Sequence, residues 1–529
     1  MGWDIFSRLC ECSLLSHFFV IFKRELIPGV NLVKKYLKII ILALFILISI
    51  VSALNLIKAE SGLSVEKQVA NETPTIIFTP EETRSDILVF VAHGFAGSTS
   101  LMKSLALSLA KTGHKTVTFD FLGHGRHSLP YYGDIMTEKG ATKIFVQQIN
   151  EVITYYLERE NLSKAIIIGH SMASDLIFRT ALLNDHVIGA IGISNYTDVI
   201  EKEDPSNVLI INGAWEPQLR QKAIDILSSI GIENPEEDIV YGSFSNRSAR
   251  KITTIKYADH VGILYSSKTQ RVVNDWINEI TGDNLKVSTD NIGIWALLLF
   301  SSFFCIFLTF IQIISHRKLA TNNTSFRRCL LGNLIACVLT PLLLDFYSIQ
   351  WLPFSSHSYL INHLLLYAII AFCFIKDPLK SISLREFNLP IFILLVGFFI
   401  LVLGTVLDQY VSSFYLSNAR IPVFFLLLIG CIPITLYIQL YYQDCHAAVW
   451  KASLSKLFLI LSLIFALVLN FIELFLLGYA VILLCAFWFV FGFLGHLVLR
   501  RIGSYLTVAL TNAVTLSWAL TTAIPFYVP

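Results

Sequence analysis

Nine long apolar runs constrain the fold of this chain more than any other feature. The first occupies residues 39–57, and the other eight all follow residue 290. These eight runs lie near 292–314, 329–349, 358–375, 389–408, 421–442, 457–477, 479–499 and 504–526. An apolar helix of roughly 20 residues is long enough to cross the hydrocarbon core of a bilayer. The sequence therefore predicts an integral membrane protein with about nine spans.

The apolar runs divide the chain into four predicted parts. Residues 1–38 form an N-terminal segment, and 39–57 form an anchor helix that has no small-residue cleavage site. Residues 58–290 carry most of the charged side chains and form a folded domain, whereas 291–529 form a membrane bundle of about eight helices. We expect the active part of the chain to lie in the charged domain.

The distribution of Lys and Arg predicts the orientation in the membrane. Basic residues precede the anchor, and the bundle's basic connecting residues all fall on that same side if residues 58–290 lie on the other. Arg420 is the one exception. Because positive charge is retained on the cytoplasmic side, the N-terminal segment is predicted to be cytoplasmic and the domain extracytoplasmic. We favour the bacterial inner membrane as the location of the protein.

Cysteine placement and charge patterning argue against several classes of site. All nine cysteines lie outside residues 58–290, so no disulfide framework is expected in the domain. No CxxC pair or Cys/His cluster has metal-ligand spacing, and we expect neither a metal nor a cofactor. The chain also has no basic patch typical of nucleic-acid binding. Partners are therefore expected among lipids and the membrane.

Short apolar runs alternate with amphipathic stretches in the domain, which predicts a doubly wound, mostly parallel sheet. The run AIIIGHS (165–171) passes directly into a helix that begins MASDL, so Ser171 occupies a sharp strand-to-helix turn. Gly169 and Ala173 supply the small neighbours that such a turn requires, although strict GxSxG would have glycine at 173. The sequence predicts that Ser171 is a nucleophile.

The remaining catalytic candidates follow Ser171 in chain order. Glu216 comes after the predicted strand VLIING (208–213), and His260 lies in a turn before the last helix of the domain. We expect His260 to act as the base and Glu216 to orient it. The backbone amides of Phe95 and Met172 are the candidate oxyanion donors.

Two further carboxylates compete with Glu216 for the acid role. Asp238 lies in a loop before His260, and Asp259 immediately precedes it. The position of Glu216 directly after a strand favours it over both.

Residues 86–280 resemble the α/β-hydrolase superfamily. The motifs that carry this resemblance are HGFAGS (93–98), FDFLGHGRHS (119–128), GHSMAS (169–174), NGAWEP (212–217) and DHVGILYS (259–266). The resemblance implies a serine hydrolase of the esterase or lipase type in which Asp120, Gly123, His124 and Gly125 shape a structural loop. Ala173 and Glu216 depart from the usual glycine and aspartate. The whole arrangement is similar to multi-pass membrane hydrolases.

The domain has little room for a lid. Only SNYTDVIEKEDPS (194–206) connects two of its predicted strands, which is too short for the cap found in many such folds. A site without a cap and close to a membrane favours an acyl ester or thioester of a lipid or lipid-linked substrate.

Two alternatives remain open at this point. Acyl transfer would use the same nucleophile with another acceptor in place of water. A transporter or flippase with an accessory hydrolase-fold module would instead use polar groups within the apolar runs. Those groups are Asp345, His363, Asn470, Glu473, His496 and Asn512.

Overall fold

The computed structural model describes residues 28–133, 138–197, 199–312, 325–376, 382, 384–444 and 449–528. The predicted segment 1–38 therefore lies mostly outside the described residues. Helix α1 (Pro28–Glu60) leads into an α/β domain, and further helices follow that domain. The described strands are β1 (Leu63–Ala70), β2 (Thr73–Pro80), β3 (Leu88–Ala92), β4 (Lys115–Phe119), β5 (Tyr131–Tyr132), β6 (Ala165–His170), β7 (Val187–Ile193), β8 (Val208–Gly213), β9 (Arg250–Ile255) and β10 (Tyr527–Val528).

Eight strands form one sheet in the order β1-β2-β4-β3-β6-β7-β8-β9. All neighbouring pairs from β4 to β9 are parallel. Strands β1 and β2 form an antiparallel hairpin at one edge, and β2 pairs antiparallel with β4. The prediction of a doubly wound, mostly parallel sheet is confirmed.

Helices cover both faces of this sheet. They are α2 (Lys103–Thr112), α3 (Lys143–Glu160), α4 (Met172–Leu183), α5 (Pro217–Ser229) and α6 (Ser267–Thr281). Strand β3 shows why two layers are needed: Leu88 and Phe90 join the core beneath α3, α4 and α5, whereas Val89 and Val91 join the core beneath α2 and α6. Because successive side chains of a strand point to opposite faces, an entirely apolar strand must be covered on both sides.

The connection between β7 and β8 is short, as predicted. Its described residues, 194–197 and 199–207, contain neither a helix nor a strand. No cap domain is inserted there.

The helices that follow the α/β domain are longer and more apolar. They are α7 (Ile292–Ile311), α8 (Phe326–Phe346), α9 (Ser355–Phe372), α10 (Leu389–Gly397), α11 (Gly404–Tyr410), α12 (Ile421–Asp444), α13 (Val449–Leu469), α14 (Phe471–Leu474), α15 (Leu476–Ile502) and α16 (Tyr505–Ala523). A π-helical stretch at Phe398–Leu403 joins α10 to α11.

Seven helical segments of the described chain are long and apolar enough to cross a membrane. They are Tyr36–Glu60, Ile292–Ile311, Phe326–Phe346, Leu389–Tyr410, Asn418–Tyr441, Leu476–Ile502 and Tyr505–Ala523. Helix α9 carries His357, Asn362 and His363 and is not among them, while α13 contributes the shorter apolar stretch Ser453–Leu469. These seven segments fit an integral membrane protein.

The predicted apolar run 457–477 has different bounds in the structure. Helix α13 ends at Leu469, and Asn470 breaks the run because its side chain accepts the backbone N–H of Glu473 at 3.3 Å. Asparagine competes for backbone hydrogen bonds in this way and starts a new helix rather than continuing the old one. The result is a tight hairpin between α13 and α15, with the short helix α14 at its turn.

The carboxyl edge of the sheet lies against the end of α11. After β3, the Ser100 hydroxyl donates to the backbone carbonyl of Asp408 at 2.6 Å. After β4, Arg126 donates to both carboxylate oxygens of Asp408 at 2.7 Å. After β9, the Tyr265 hydroxyl donates to the carbonyl of Tyr410 at 2.7 Å. These contacts place the carboxyl edge of the parallel sheet, where ligands of open α/β sheets bind, next to the helical bundle.

Candidate active site

Ser171 lies at the turn between β6 and α4. Its backbone adopts φ 53° and ψ −119°, a conformation that costs energy in any residue with a side chain. The Ser171 amide donates to the carbonyl of Ile193 at 2.9 Å, which fixes the turn against the neighbouring strand β7. A Cβ at Gly169 would collide with the carbonyl of Ala173, so glycine is required there. Ala173 itself is fully buried and fits.

Three sequence-predicted residues form one hydrogen-bonded chain. The Ser171 hydroxyl lies 2.9 Å from Nε2 of His260, and Nδ1 of His260 lies 2.5 Å from Oε1 of Glu216. With the proton of neutral His260 on Nδ1, Nε2 is free to accept the serine proton. The structure thus brings the predicted nucleophile, base and acid into hydrogen-bond contact, in the order that a catalytic triad requires.

The second carboxylate oxygen of Glu216 is also held. The Gly213 amide and the Ser194 hydroxyl each donate to Oε2 at 2.8 Å. Burial by itself raises the pKa of the Glu216 carboxyl, but the hydrogen bonds from His260, Gly213 and Ser194 outweigh it and lower that pKa. Glu216 is therefore ionised at neutral pH and can stabilise a protonated His260.

The two competing acids are engaged elsewhere. Asp238 accepts from the Thr253 hydroxyl at 3.1 Å, and its backbone amide donates to β9. Asp259 accepts from the amides of Val261 and Gly262 and so shapes the turn that carries His260. Glu216 is the carboxylate that contacts the His260 ring.

The candidate oxyanion donors flank the nucleophile. A Cβ at Gly94 would approach both the carbonyl of His170 and the Cβ of Ser171 to 3.0 Å, so the loop containing Phe95 passes very close to Ser171. Met172 is the first residue of α4. Among the described residues, neither the Phe95 nor the Met172 amide donates to a protein acceptor. Both are free to bind a negatively charged oxygen.

His93 fixes the start of the loop that contains Phe95. Its Nδ1–H donates to the carbonyl of Gly94 at 2.7 Å, while its Nε2 accepts the amide of Phe121 at 3.1 Å. Burial lowers the pKa of His93, which keeps the ring neutral as this pair of bonds requires.

The loop after β4 is organised by Asp120. One carboxylate oxygen accepts the Thr99 amide at 2.7 Å and the other accepts the Arg126 amide at 2.9 Å. A Cβ at Gly125 would collide with this carboxylate. Asp120 therefore joins the loops after β3 and β4.

Comparison with known proteins agrees with this architecture. The family model described as serine aminopeptidase, S33, matches residues 83–230. The sn-1-specific diacylglycerol lipase ABHD11 of Danio rerio is 34% identical over 104 residues, which make up 19% of this chain and 28% of that lipase. The chain thus spans little more than a quarter of the relative that it matches.

Solved structures are also similar to about two fifths of the chain. A CIB-like hydrolase from Thermoplasma acidophilum is 16% identical, with 41% of this chain and 99% of that one covered at a TM-score of 0.31. A dienelactone hydrolase from Anabaena variabilis is 12% identical, with 41% and 97% covered at a TM-score of 0.32. The family match, together with the sheet order and the serine turn, decides the classification. The domain belongs to the α/β-hydrolase superfamily.

Two residues of the hydrolase domain support the site without being singled out by their sequence motifs. The Nε2–H of His170 donates to the carbonyl of His260 at 2.7 Å and fixes the turn that carries the base. Burial lowers the pKa of His170 to about 4, so this donor stays neutral. Ser194 follows β7 and donates to Glu216. Only the register of β7 beside β8 places it there.

The hydrolase site is open on the side of its histidine. The His260 side chain is 47% exposed, and the neighbouring Trp215 and Val261 are also exposed. Among the described residues, no group of three His, Cys, Asp or Glu side chains could hold a metal ion.

Proposed function

We propose that the chain is a membrane-bound serine hydrolase that cleaves an acyl ester or thioester of a lipid or lipid-linked substrate. The hydrogen-bonded chain from Ser171 through His260 to Glu216 carries this proposal. Ser171 lies on a strained strand-to-helix turn, and the backbone amides of Phe95 and Met172 beside it have no protein acceptor among the described residues.

The geometry supports a two-step acyl transfer to water. Oγ of Ser171 attacks the acyl carbonyl while its proton moves to Nε2 of His260, and the carbonyl oxygen becomes an anion held by the Phe95 and Met172 amides. The intermediate collapses, His260 protonates the leaving alcohol or thiol, and an acyl-enzyme remains on Ser171. Water then attacks the acyl-enzyme and gives its proton to Nε2 of His260. The second intermediate collapses with cleavage of the bond between Oγ of Ser171 and the acyl carbon, His260 returns the proton to Oγ, and the acid product leaves. Glu216 remains ionised throughout and stabilises the charged imidazole.

The surroundings of the site support a lipid-derived substrate. The described residues between β7 and β8 form no cap, and the carboxyl edge of the sheet lies against the helical bundle through Ser100, Arg126 and Tyr265. A tethered site at a bilayer surface encounters membrane lipids at a much higher effective concentration than soluble esters. The partial match to a diacylglycerol lipase is in keeping with this substrate class.

We also propose that the hydrolase domain is extracytoplasmic, in a bacterial inner membrane. The asymmetry of Lys and Arg between the two sides supports this orientation. All nine native cysteines lie outside residues 58–290, so a Leu183→Cys variant provides a single reactive thiol on the domain. Leu183 is 74% exposed. A membrane-impermeant maleimide is expected to label this variant in intact spheroplasts. Labelling seen only after lysis would show that the domain lies on the cytoplasmic side.

A fluorophosphonate probe tests the proposed chemistry without a known substrate. It reacts with serines that are activated by a working base and oxyanion hole. The wild-type chain in its membrane is expected to react, and Ser171→Ala is expected not to react. Glu216→Gln should slow the reaction roughly a thousandfold or more, because the imidazole loses its orienting carboxylate.

Asp238→Asn is the matched control for the acid assignment, and its labelling rate should stay within about twofold of wild type, since this carboxylate does not contact His260. An unreactive wild-type chain that is folded would contradict the proposed function. A large loss in Asp238→Asn together with none in Glu216→Gln would contradict the assignment of the acid.

A further inference from the structure

Five aromatic rings contact one another in a closed circuit that includes Phe95, in the loop after β3. Phe95 lies 5.3 Å from His124 and 6.3 Å from Phe475, measured between ring centroids. Phe475 lies 5.4 Å from Tyr527, Tyr527 lies 5.0 Å from Tyr131, and Tyr131 stacks on His124 at 5.6 Å. Three of these rings belong to the hydrolase domain. Phe475 belongs to the α13–α15 hairpin, and Tyr527 belongs to strand β10 after the last helix.

Main-chain hydrogen bonds hold the same junction. Strand β10 pairs in parallel with β5, so that Tyr527 lies opposite Tyr131. The Phe526 amide donates to the carbonyl of Gly123 at 2.9 Å, and the Tyr131 amide donates to the carbonyl of Phe526 at 3.1 Å. A Cβ at Gly123 would collide with the Phe526 carbonyl, so the two segments lie as close as backbone allows. The C-terminal strand is therefore built into the loop that follows β4.

Arg420 secures this junction from the bundle side. Its guanidinium donates to the carbonyls of Gly125 and Gly123 at 3.1 and 3.0 Å, and its Cζ lies 4.3 Å from the centre of the Phe526 ring. The side chain is almost fully buried, so these bonds form away from competing water. The same guanidinium donates to the carbonyls of Thr521 and Ile524 at the end of α16, and it therefore fixes the loop after β4 relative to the bundle.

The circuit bears on chemistry because Phe95 supplies a candidate oxyanion amide. Within the hydrolase domain, His93 holds the carbonyl of Gly94, just before that amide. The Phe95 side chain is held by rings from both sides, His124 from the domain and Phe475 from the bundle. An oxyanion donor must lie within a few tenths of an ångström of its working position, since misplacement by about 1 Å can cost a hundredfold in rate.

We propose that Phe475 and Tyr527 are positioning residues of the active site, so that the helical bundle completes the oxyanion side of the hydrolase domain. This inference rests on the proposed function. It gives the bundle a catalytic task besides anchoring. Phe475 braces the Phe95 ring directly, and Tyr527 braces Phe475 and the loop after β4.

The hairpin offers a matched pair of substitutions. Phe475→Ala removes the ring that contacts Phe95, whereas Phe471→Ala removes a ring of equal size from α14 that is 65% exposed. Phe475→Leu keeps much of the apolar volume and serves as the conservative variant. Tyr527→Ala perturbs the circuit from the other segment and provides a second route if Phe475→Ala does not fold. Each variant is made in the full chain and compared for detergent-solubilised thermal unfolding, kcat and KM on a short-chain soluble ester, and fluorophosphonate labelling rate.

Phe475→Ala is expected to lower kcat and the labelling rate about tenfold while KM stays within about twofold, because the loss falls on the transition state. Phe475→Leu should recover most of this loss, Tyr527→Ala should resemble Phe475→Ala, and Phe471→Ala should behave as wild type. If Phe475→Ala and Tyr527→Ala both fold and react at the wild-type rate, the inference is wrong while the proposed function stands. A folded wild type that neither reacts nor hydrolyses the ester overturns both.

Discussion

Glu216 shows how one buried carboxylate can contact a histidine and stay charged. One of its oxygens contacts His260, and the other accepts the Gly213 amide and the Ser194 hydroxyl. Three donors around one carboxylate offset the cost of removing it from water, and the pKa of Glu216 is lowered as a result. Aspartate, the more usual residue, is one methylene shorter and would have to place its carboxylate differently to reach the same donors.

We expect buried neutral histidines to make the hydrolase domain sensitive to acid, and His170 is the example nearest to the site. Burial lowers the pKa of His170 from 6.5 to about 4, so the unfolded chain binds a proton at this residue before the folded chain does. The stability contributed by neutral His170 is therefore complete above pH 6.5 and is lost as the pH falls towards 4. One such residue costs at most about 1.4 kcal/mol per pH unit across that window. Thermal unfolding of the full chain, followed at several pH values, should show this decline.

A His170→Gln variant tests the assignment. Its side-chain amide can still donate to the carbonyl of His260 but does not titrate, so the unfolding temperature should fall less steeply between pH 6.5 and about 4 than in wild type. His186→Gln, at an exposed position, is the control and should keep the wild-type slope. Parallel slopes for wild type and His170→Gln would contradict the stated origin of the acid sensitivity.

The sequence predicts the reacting residues better than the residues that support them. Ser171, Glu216 and His260 are predicted by their order and by the elements they follow, and the structure places them in hydrogen-bond contact, although their catalytic role stays a prediction. Ser194 and the contact of His170 with His260 depend on how neighbouring strands and turns meet across the sheet edge. Such contacts have no local sequence signal.

At the scale of elements, the loop after β4 is joined to the end of α11 by a buried ion pair. Asp408 has a side-chain exposure of 2%, that of Arg126 is 26%, and Asp408 also accepts the amides of Phe414 and Tyr415. Because Asp408 is almost fully buried and Arg126 is mostly buried, removing either charge leaves the other with less compensation for its lost hydration. We expect a double-mutant cycle with Arg126→Met and Asp408→Asn to give a coupling of about 1–3 kcal/mol in the unfolding free energy of the full chain.

The exposed pair Arg84–Glu82 is the internal control for that cycle. Its side chains are 55% and 77% exposed, and such pairs contribute only about 0–1 kcal/mol. Equal coupling in the two cycles would show that the contact between Arg126 and Asp408 does not hold the domain on the bundle.

The sequence predicts helices and central strands more readily than it predicts the pairing of edge strands and short strands. The parallel strands and their crossover helices are predicted by apolar runs that alternate with amphipathic stretches. The sequence does not predict the β1–β2 hairpin, because β1 is mostly exposed and β2, although largely buried, has only the short apolar run 76–78. Strand β10 has two residues, and its partner β5 precedes almost the whole bundle in the sequence. Neither the length of β10 nor its partner can therefore be predicted from local sequence.

For the whole molecule, the bundle is better described as part of the site than as a separate functional unit. Of the polar groups in its apolar runs, Asp345 and Glu473 are exposed, and Asn470 donates to Glu473 within the same hairpin turn at 3.0 Å. His363 and Asn512 are buried in α9 and α16. No hydrogen bond joins these two sets among the described residues, and this arrangement gives no specific support to a transport path. The contacts of Phe475, Tyr527 and Arg420 instead lead to the hydrolase domain.

Locating the covalent adduct is the most direct test of Ser171 as the nucleophile. Full-length protein in its membrane is treated with a fluorophosphonate, digested, and the modified peptide is identified by mass spectrometry. We expect a single phosphonylated serine, Ser171, and no adduct in the Ser171→Ala variant. An adduct on a different serine, or one that persists after Ser171→Ala, would contradict the assignment of Ser171 as nucleophile and with it the proposed hydrolase mechanism.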